Sequence, residues 1–140
     1  MRFRLKKMTE LVFFYGTLMS GFKRRGRVRI DANMTPVGHG RIRAALFDLG
    51  LYPAAIPAAD SMVRGEVHRM TDPGAVLSEL DEIEGFRASE PDTSLYRRVE
   101  TPVTFDDGDV ASAWVYFYNA PLGGAQRIDS GDYLHHLKIK

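Results

Sequence analysis

Residues 72–86, Asp-Pro-Gly-Ala-Val-Leu-Ser-Glu-Leu-Asp-Glu-Ile-Glu-Gly-Phe, most narrow what this chain can fold into. They form its one convincing helical segment, and most of what surrounds them reads as strand. Asp72 can cap the N-terminus, Pro73 suits the first helical position, and Gly85 can take the left-handed conformation that ends a helix. The spacing predicts a helix over 73–84. On a helical wheel at about 100° per residue, Val76, Leu77, Leu80 and Ile83 form one apolar arc. Glu84 falls inside that arc, whereas Glu79, Asp81 and Glu82 fall outside it. A carboxylate aimed at a core is costly unless it is neutralised, paired or used. At the C-terminal end of a helix the macrodipole disfavours it as well. Both effects push its pKa toward the range useful for proton transfer. The alternative is a half-exposed glutamate on a frayed last turn, paired with an arginine.

The remaining segments are short and strand-like. Leu11-Val-Phe-Phe-Tyr15 is a continuous apolar run, too short for a helix, and reads as a buried central strand. It stops at Gly16-Thr17-Leu18. Residues 40–48 read as strand, and 62–70 alternate as a strand does. Residues 96–105 and 110–118 read as two strands joined by the turn Asp106-Asp-Gly-Asp109. Trp114, Tyr116 and Tyr118 share one face of the second, more often a core row than a binding platform. Residues 33–38 carry turn chemistry. Residues 49–57, Leu-Gly-Leu-Tyr-Pro-Ala-Ala-Ile-Pro, read as an apolar loop that lines or covers something. Residues 22–30 are strongly basic and take no clear assignment. About six strands and one helix, linked mostly by turns, point to an α+β fold. A compact, mixed, mostly antiparallel β-barrel with flanking helices is expected, in a single domain over 1–140 with residues 1–10 a loose basic lead-in.

Composition removes several function classes. The chain has no cysteine, which excludes disulfides, thiol nucleophiles and cysteine metal sites, and is compatible with a reducing cytosol. No apolar run approaches the roughly 18 residues of a membrane-spanning helix. The net charge is +1, so the chain as a whole is no electrostatic nucleic-acid binder, although Lys23, Arg24, Arg25, Arg27 and Arg29 are clustered. His39, His68, His135 and His136 lack metal-ligand spacing with carboxylates, and surface or structural roles are expected for them. Asp106, Asp107 and Asp109 resemble part of a calcium loop but lack its closing glutamate.

Two features suggest chemistry. One is the inward Glu84. The other is the corner Tyr15-Gly16-Thr17-Leu18. A glycine directly after a buried strand lets a ligand approach the backbone, and consecutive N–H groups at such a corner can hold a carboxylate or a developing oxyanion. The plainer reading is that Gly16 makes a tight turn.

Six motifs occur in a telling order: Tyr15-Gly-Thr-Leu18, Asp48-Leu-Gly-Leu-Tyr-Pro-Ala54, Val63-Arg-Gly-Glu-Val67, Leu80-Asp-Glu-Ile-Glu-Gly85, Leu95-Tyr-Arg-Arg-Val99 and Ala113-Trp-Val-Tyr116. Together they resemble the gamma-glutamyl cyclotransferase-like, or AIG2-like, family over roughly residues 11–134, in its small bacterial form. The resemblance implies a compact mixed β-barrel flanked by helices. It implies a cofactor-independent enzyme of lyase or acyltransferase type, linked to glutathione metabolism, that releases 5-oxoproline from a gamma-glutamyl amide. By position, Glu84 resembles the family's acid/base, and Tyr15, Gly16, Thr17 and Leu18 resemble the loop that holds the gamma-glutamyl part. The implied partner is a small gamma-glutamyl substrate, with no metal, nucleic acid or membrane. The implied setting is cytoplasmic, as a monomer or weak homodimer. The alternative function is a non-catalytic small-molecule-binding or regulatory protein on the same fold.

Overall fold

The computed structural model describes residues 9–20, 22, 25 and 30–139. Most of the basic lead-in lies outside the described residues, as do Lys23, Arg24, Arg27 and Arg29 of the basic stretch. Among the described residues the sheet strands and the two longer helices are β1 (Leu11–Phe14), β2 (Met34–Asp48), β3 (Pro53–Met70), α1 (Pro73–Glu84), β4 (Tyr96–Phe105), β5 (Val110–Tyr118), β6 (Gln126–Arg127) and α2 (Tyr133–Ile139).

The strands run in the order β3-β1-β5-β4-β2, and β2 pairs again with β3, so five strands close into a barrel. Closure leaves these five strands no open edge along the paired ladder. β1 is parallel to β5 through Val12 and Trp114; the other pairings are antiparallel. β6 adds a short rung against Phe47 and Asp48 of β2. Val12, Phe13, Ile42, Leu46, Val63, Val67 and Val115 are essentially inaccessible and form the centre of the core.

Two expectations from the sequence are corrected by the β2–β3 hairpin. Residues 53–57 are not loop but the start of β3, and residues 34–38 belong to β2. The prolines that suggested otherwise occupy places where a strand tolerates them. Pro53 is the first residue of β3, and Pro57 sits beside the irregularity between the pairs Arg43–Met62 and Ala44–Pro57. The connection is only residues 49–52, closed by Leu49 N–H donating to Tyr52 O at 3.1 Å. The carboxylate of Asp48 accepts from Gly50 N–H at 2.7 Å within the same turn.

Helix α1 forms as the sequence predicts. The Asp72 side chain accepts from Ala75 N–H at 3.2 Å, Pro73 opens the helix, and Gly85 closes it at φ 65°. Val76, Leu77 and Leu80 are buried, each worth about 1.5–3 kcal/mol relative to exposure, so packing rather than capping dominates the helix's stability. The short helix α2 was not read from the sequence; Asp132 begins it by accepting from His135 N–H at 3.1 Å. No helix among the described residues is long and apolar enough to cross a membrane.

Candidate functional site

The site is built where β1 ends. The chain leaves the barrel at Phe14, and Tyr15 turns its ring inward between β3 and β5. Its hydroxyl donates to Tyr116 O at 2.6 Å and accepts from Ala55 N–H at 3.4 Å. The chain then reverses over residues 16–19, with Met19 N–H donating to Gly16 O at 2.9 Å. That bond closes the turn with the Met19 amide. Gly16 has a steric reason to be glycine: a Cβ there would sit 2.7 Å from Cγ of Pro53 and 2.9 Å from its Cδ. The close neighbour of the Gly16 backbone is therefore the first residue of β3.

Glu84 reaches the same place from the other side of the chain. It is the last residue of α1, directly before the left-handed Gly85, and is 9% exposed. Gly85 O accepts from Leu95 N–H at 3.1 Å, which ties this end of the helix to the chain entering β4. Glu84, Tyr15, Gly16, Thr17 and Leu18 all line one cleft, walled further by Tyr52, Tyr96 and Tyr116. The cleft encloses about 370 Å³, including its mouth open to solvent. Tyr52 and Pro53 come from the stretch that was read as lining something, although as turn and strand rather than as a loop.

Two phenols of the cleft, Tyr15 and Tyr116, are held neutral. Burial pushes the Tyr15 hydroxyl pKa well above its usual value, and Tyr96 and the Glu84 carboxylate push it further. Burial also raises Tyr116, followed by its hydrogen bond to Asp81; Arg98 opposes the shift. Both hydroxyls feel the charge of Glu84, which puts its carboxyl within electrostatic reach of both. Tyr96 donates to Pro53 O at 3.3 Å and stacks edge-on against Tyr118 with ring centres 5.3 Å apart. Glu84 is the sole carboxyl-bearing side chain among the described lining residues, in walls that are otherwise mostly aromatic side chains and backbone.

Two residues behind the cleft escaped the sequence reading. Asp81 was assigned to the solvent face of α1, yet its carboxylate accepts from Tyr116 Oη at 2.6 Å and from Arg98 at 2.9 and 3.2 Å. The reason is the orientation of the helix. Ile83 is only half-buried, so the buried arc is turned toward Asp81, and Glu84 lies nearer its middle than the wheel suggested. Arg98 also lies 4.5 Å over the Trp114 ring and 5.6 Å over Phe86. An aspartate one turn before Glu84 was the available signal; its partner on β4 could not be read locally. Trp114, Tyr116 and Tyr118 thus divide their roles among a cation platform, a cleft wall and an aromatic brace.

The histidines take the expected structural or surface places. His68 and His136 are buried beside Glu66 and Asp48, at 3.2 and 2.8 Å, and His39 and His135 are exposed. Among the described residues, no three histidine, aspartate or glutamate side chains are grouped so as to hold a metal ion.

Comparison with known proteins agrees with this architecture. Residues 12–135 match the family described as gamma-glutamyl cyclotransferase, AIG2-like. The chain is 34% identical over 128 residues to the gamma-glutamylcyclotransferase family protein YtfP of Escherichia coli strain K12, covering 91% of this chain and 98% of that protein. The solution structure of E. coli YtfP superposes with a TM-score of 0.62 at 31% identity, covering 90% of this chain and 97% of that one. The crystal structure of YkqA from Bacillus subtilis gives a TM-score of 0.70 at 25% identity over 94% of this chain, which spans 42% of YkqA. The chain belongs to the gamma-glutamyl cyclotransferase, AIG2-like family.

Proposed function

We propose that this protein is a cofactor-independent gamma-glutamyl cyclotransferase that releases 5-oxoproline and a free amine from a small gamma-glutamyl amide. The observation that carries the reading is the meeting of one buried carboxyl, Glu84, with the backbone corner at residues 15–18 in one aromatic cleft. The reaction needs what such a cleft can offer. The gamma-glutamyl part lies in the corner, with its carboxylate and its developing oxyanion met by backbone N–H groups. Glu84 takes a proton from the α-ammonium group and so frees the nitrogen lone pair. The amine attacks the γ-carbonyl carbon and closes a five-membered ring. Glu84 returns the proton to the amide nitrogen, the carbon–nitrogen bond breaks, and the lactam remains.

Over the whole reaction two protons leave the α-ammonium group and two reach the leaving nitrogen, which departs as an ammonium ion. One carboxyl can carry both in succession. Because nucleophile and carbonyl belong to one molecule, the protein's remaining task is to hold the bent conformer. The aromatic walls favour it by excluding water around the reacting atoms. The test is 5-oxoproline release, read by mass spectrometry, from a panel of gamma-glutamyl amino acids, gamma-glutamylamines and glutathione. Release from at least one class supports the reading. No release from any, together with a ligand-induced rise in melting temperature, would replace it with binding without turnover.

A further inference from the structure

The turn that follows Gly16 is gripped from below by two charges of opposite sign, a buried Arg25 and a partly buried Glu66. Arg25 is 7% exposed and donates through Nη1 to Leu18 O at 2.9 Å. Its Nε donates to Asp31 at 2.8 Å, and its guanidinium lies 5.5 Å over the Phe14 ring. Two residues beyond Leu18, Ser20 N–H donates to the Glu66 carboxylate at 2.9 Å. That carboxylate is itself bonded to His68 Nε2 at 3.2 Å, and the His68 ring meets Phe14 with ring centres 5.5 Å apart. Glu66 and His68 line a second cleft, separate from the first, with Ser20 at its edge.

We infer that Arg25 and Glu66 are positioning residues that fix the orientation of the corner backbone, and with it the substrate-binding amides. The inference rests on the corner being the gamma-glutamyl site. A short turn after a strand has soft dihedrals, and each peptide plane can rotate as a unit. Holding the Leu18 carbonyl to one side and the Ser20 N–H to the other fixes the planes on both sides of Met19. Hydrogen bonds to charged partners are the strong ones, and a guanidinium can serve Leu18 O and Asp31 together where an ammonium serves one at a time. The basic stretch thereby gains a role for one of its members: Arg25 is a buried strut rather than part of a surface patch.

A merely structural role predicts lower stability without a change in the corner. A positioning role predicts that KM rises and kcat falls in the folded variant, because the corner amides meet the carboxylate in the ground state and the oxyanion in the transition state. The variants are Arg25→Met, Arg25→Lys, Glu66→Ala and Glu66→Gln, with Asp106→Asn, whose exposed pairing with Arg64 involves none of residues 15–20, as a stability control. Two measurements are made. One is the amide ¹H–¹⁵N spectrum and hydrogen exchange of residues 17–20, which needs no activity. The other is 5-oxoproline kinetics.

Arg25→Met and Glu66→Ala are expected to shift those amides, speed their exchange, raise KM about tenfold or more and lower kcat as well. Glu66→Gln, whose amide oxygen still accepts from Ser20, is expected to restore most of the KM; Arg25→Lys is expected to fall between Arg25→Met and wild type. Variants that melt earlier yet keep the wild-type amide signals and KM would overturn the inference. A wild type that releases no 5-oxoproline would instead overturn the assignment of the site, and the amide measurements would still decide whether the two charges hold the turn.

Discussion

Gly16→Ala separates two accounts of why a glycine follows β1. One makes it a door for ligand, the other a concession to Pro53. The new Cβ would lie 2.7 Å from Pro53 Cγ, against ordinary contact at 3.4 Å and beyond, so the two backbones must part by about 0.7 Å. A change of ring pucker can move Pro53 Cγ, but Cδ, at 2.9 Å, is tied to the backbone nitrogen, and Pro53 is anchored: it pairs with Asp48 across the hairpin, and its carbonyl accepts from Tyr96. Overpacking of this kind costs about 1–3 kcal/mol. For a chain of this length that is a fall in Tm of roughly 3–10 °C. The assay is urea denaturation of wild type, Gly16→Ala, Pro53→Ala and the double variant. Truncating Pro53 removes the atoms that the new methyl meets. The double variant should therefore be more stable than the sum of the single losses predicts, by about 1–2 kcal/mol. Gly16→Ala at wild-type stability, or strictly additive losses, would refute the steric argument.

Other consequences follow from the same geometry. Asp81→Ala leaves the Arg98 guanidinium and the Tyr116 hydroxyl without their shared partner, and should cost about 2–4 kcal/mol in denaturant unfolding; a loss below about 0.5 kcal/mol would mean that water replaces the carboxylate freely. The Glu66 carboxyl is pushed upward by burial, but its bonds from His68 and Ser20 outweigh this and hold its pKa below the usual value. A lowered folded pKa gives stability that is present above the unfolded value, near pH 4.3, and lost as pH falls through the folded one. The urea midpoint should thus fall on acidification below about pH 4.5 by an amount worth at most about 1 kcal/mol after solvent screening, and less steeply in Glu66→Gln. Parallel acid limbs in the two proteins would contradict this.

What could be read in advance was local, and what could not was not. Asp72, Pro73 and Gly85 each act within a few residues, so α1 and its ends were legible, and so was the β4–β5 hairpin around its Asp-Asp-Gly-Asp turn. The first turn of β3 was misread because Pro53 and Pro57 interrupt the alternation; only the pairing with β2 shows that neither needs a ladder N–H there. The parallel contact of β1 with β5 joins residues a hundred positions apart and leaves no local trace. Glu84 stood out because it breaks the pattern of its own helix. Asp81 did not, since its burial depends on how far α1 is rotated against Arg98 and Tyr116. Arg25 was hidden in a run of cations, and its role shows only in its contacts with Leu18 O and Asp31. The cleft as a whole was legible as two separate anomalies, a misplaced carboxylate and a glycine corner, and the fold supplies their meeting.

The most direct test of the central claim is 5-oxoproline release by Glu84→Gln beside wild type, at saturating gamma-glutamyl substrate. Glutamine keeps the shape and much of the hydrogen bonding of the side chain but cannot carry a proton. The variant should fold with an unchanged circular dichroism spectrum and a KM close to wild type, while kcat falls by about 10²- to 10⁴-fold, the range for removing a general acid/base. A folded Glu84→Gln that retains more than about a tenth of the wild-type turnover would remove Glu84 from the chemistry and the proposed mechanism with it.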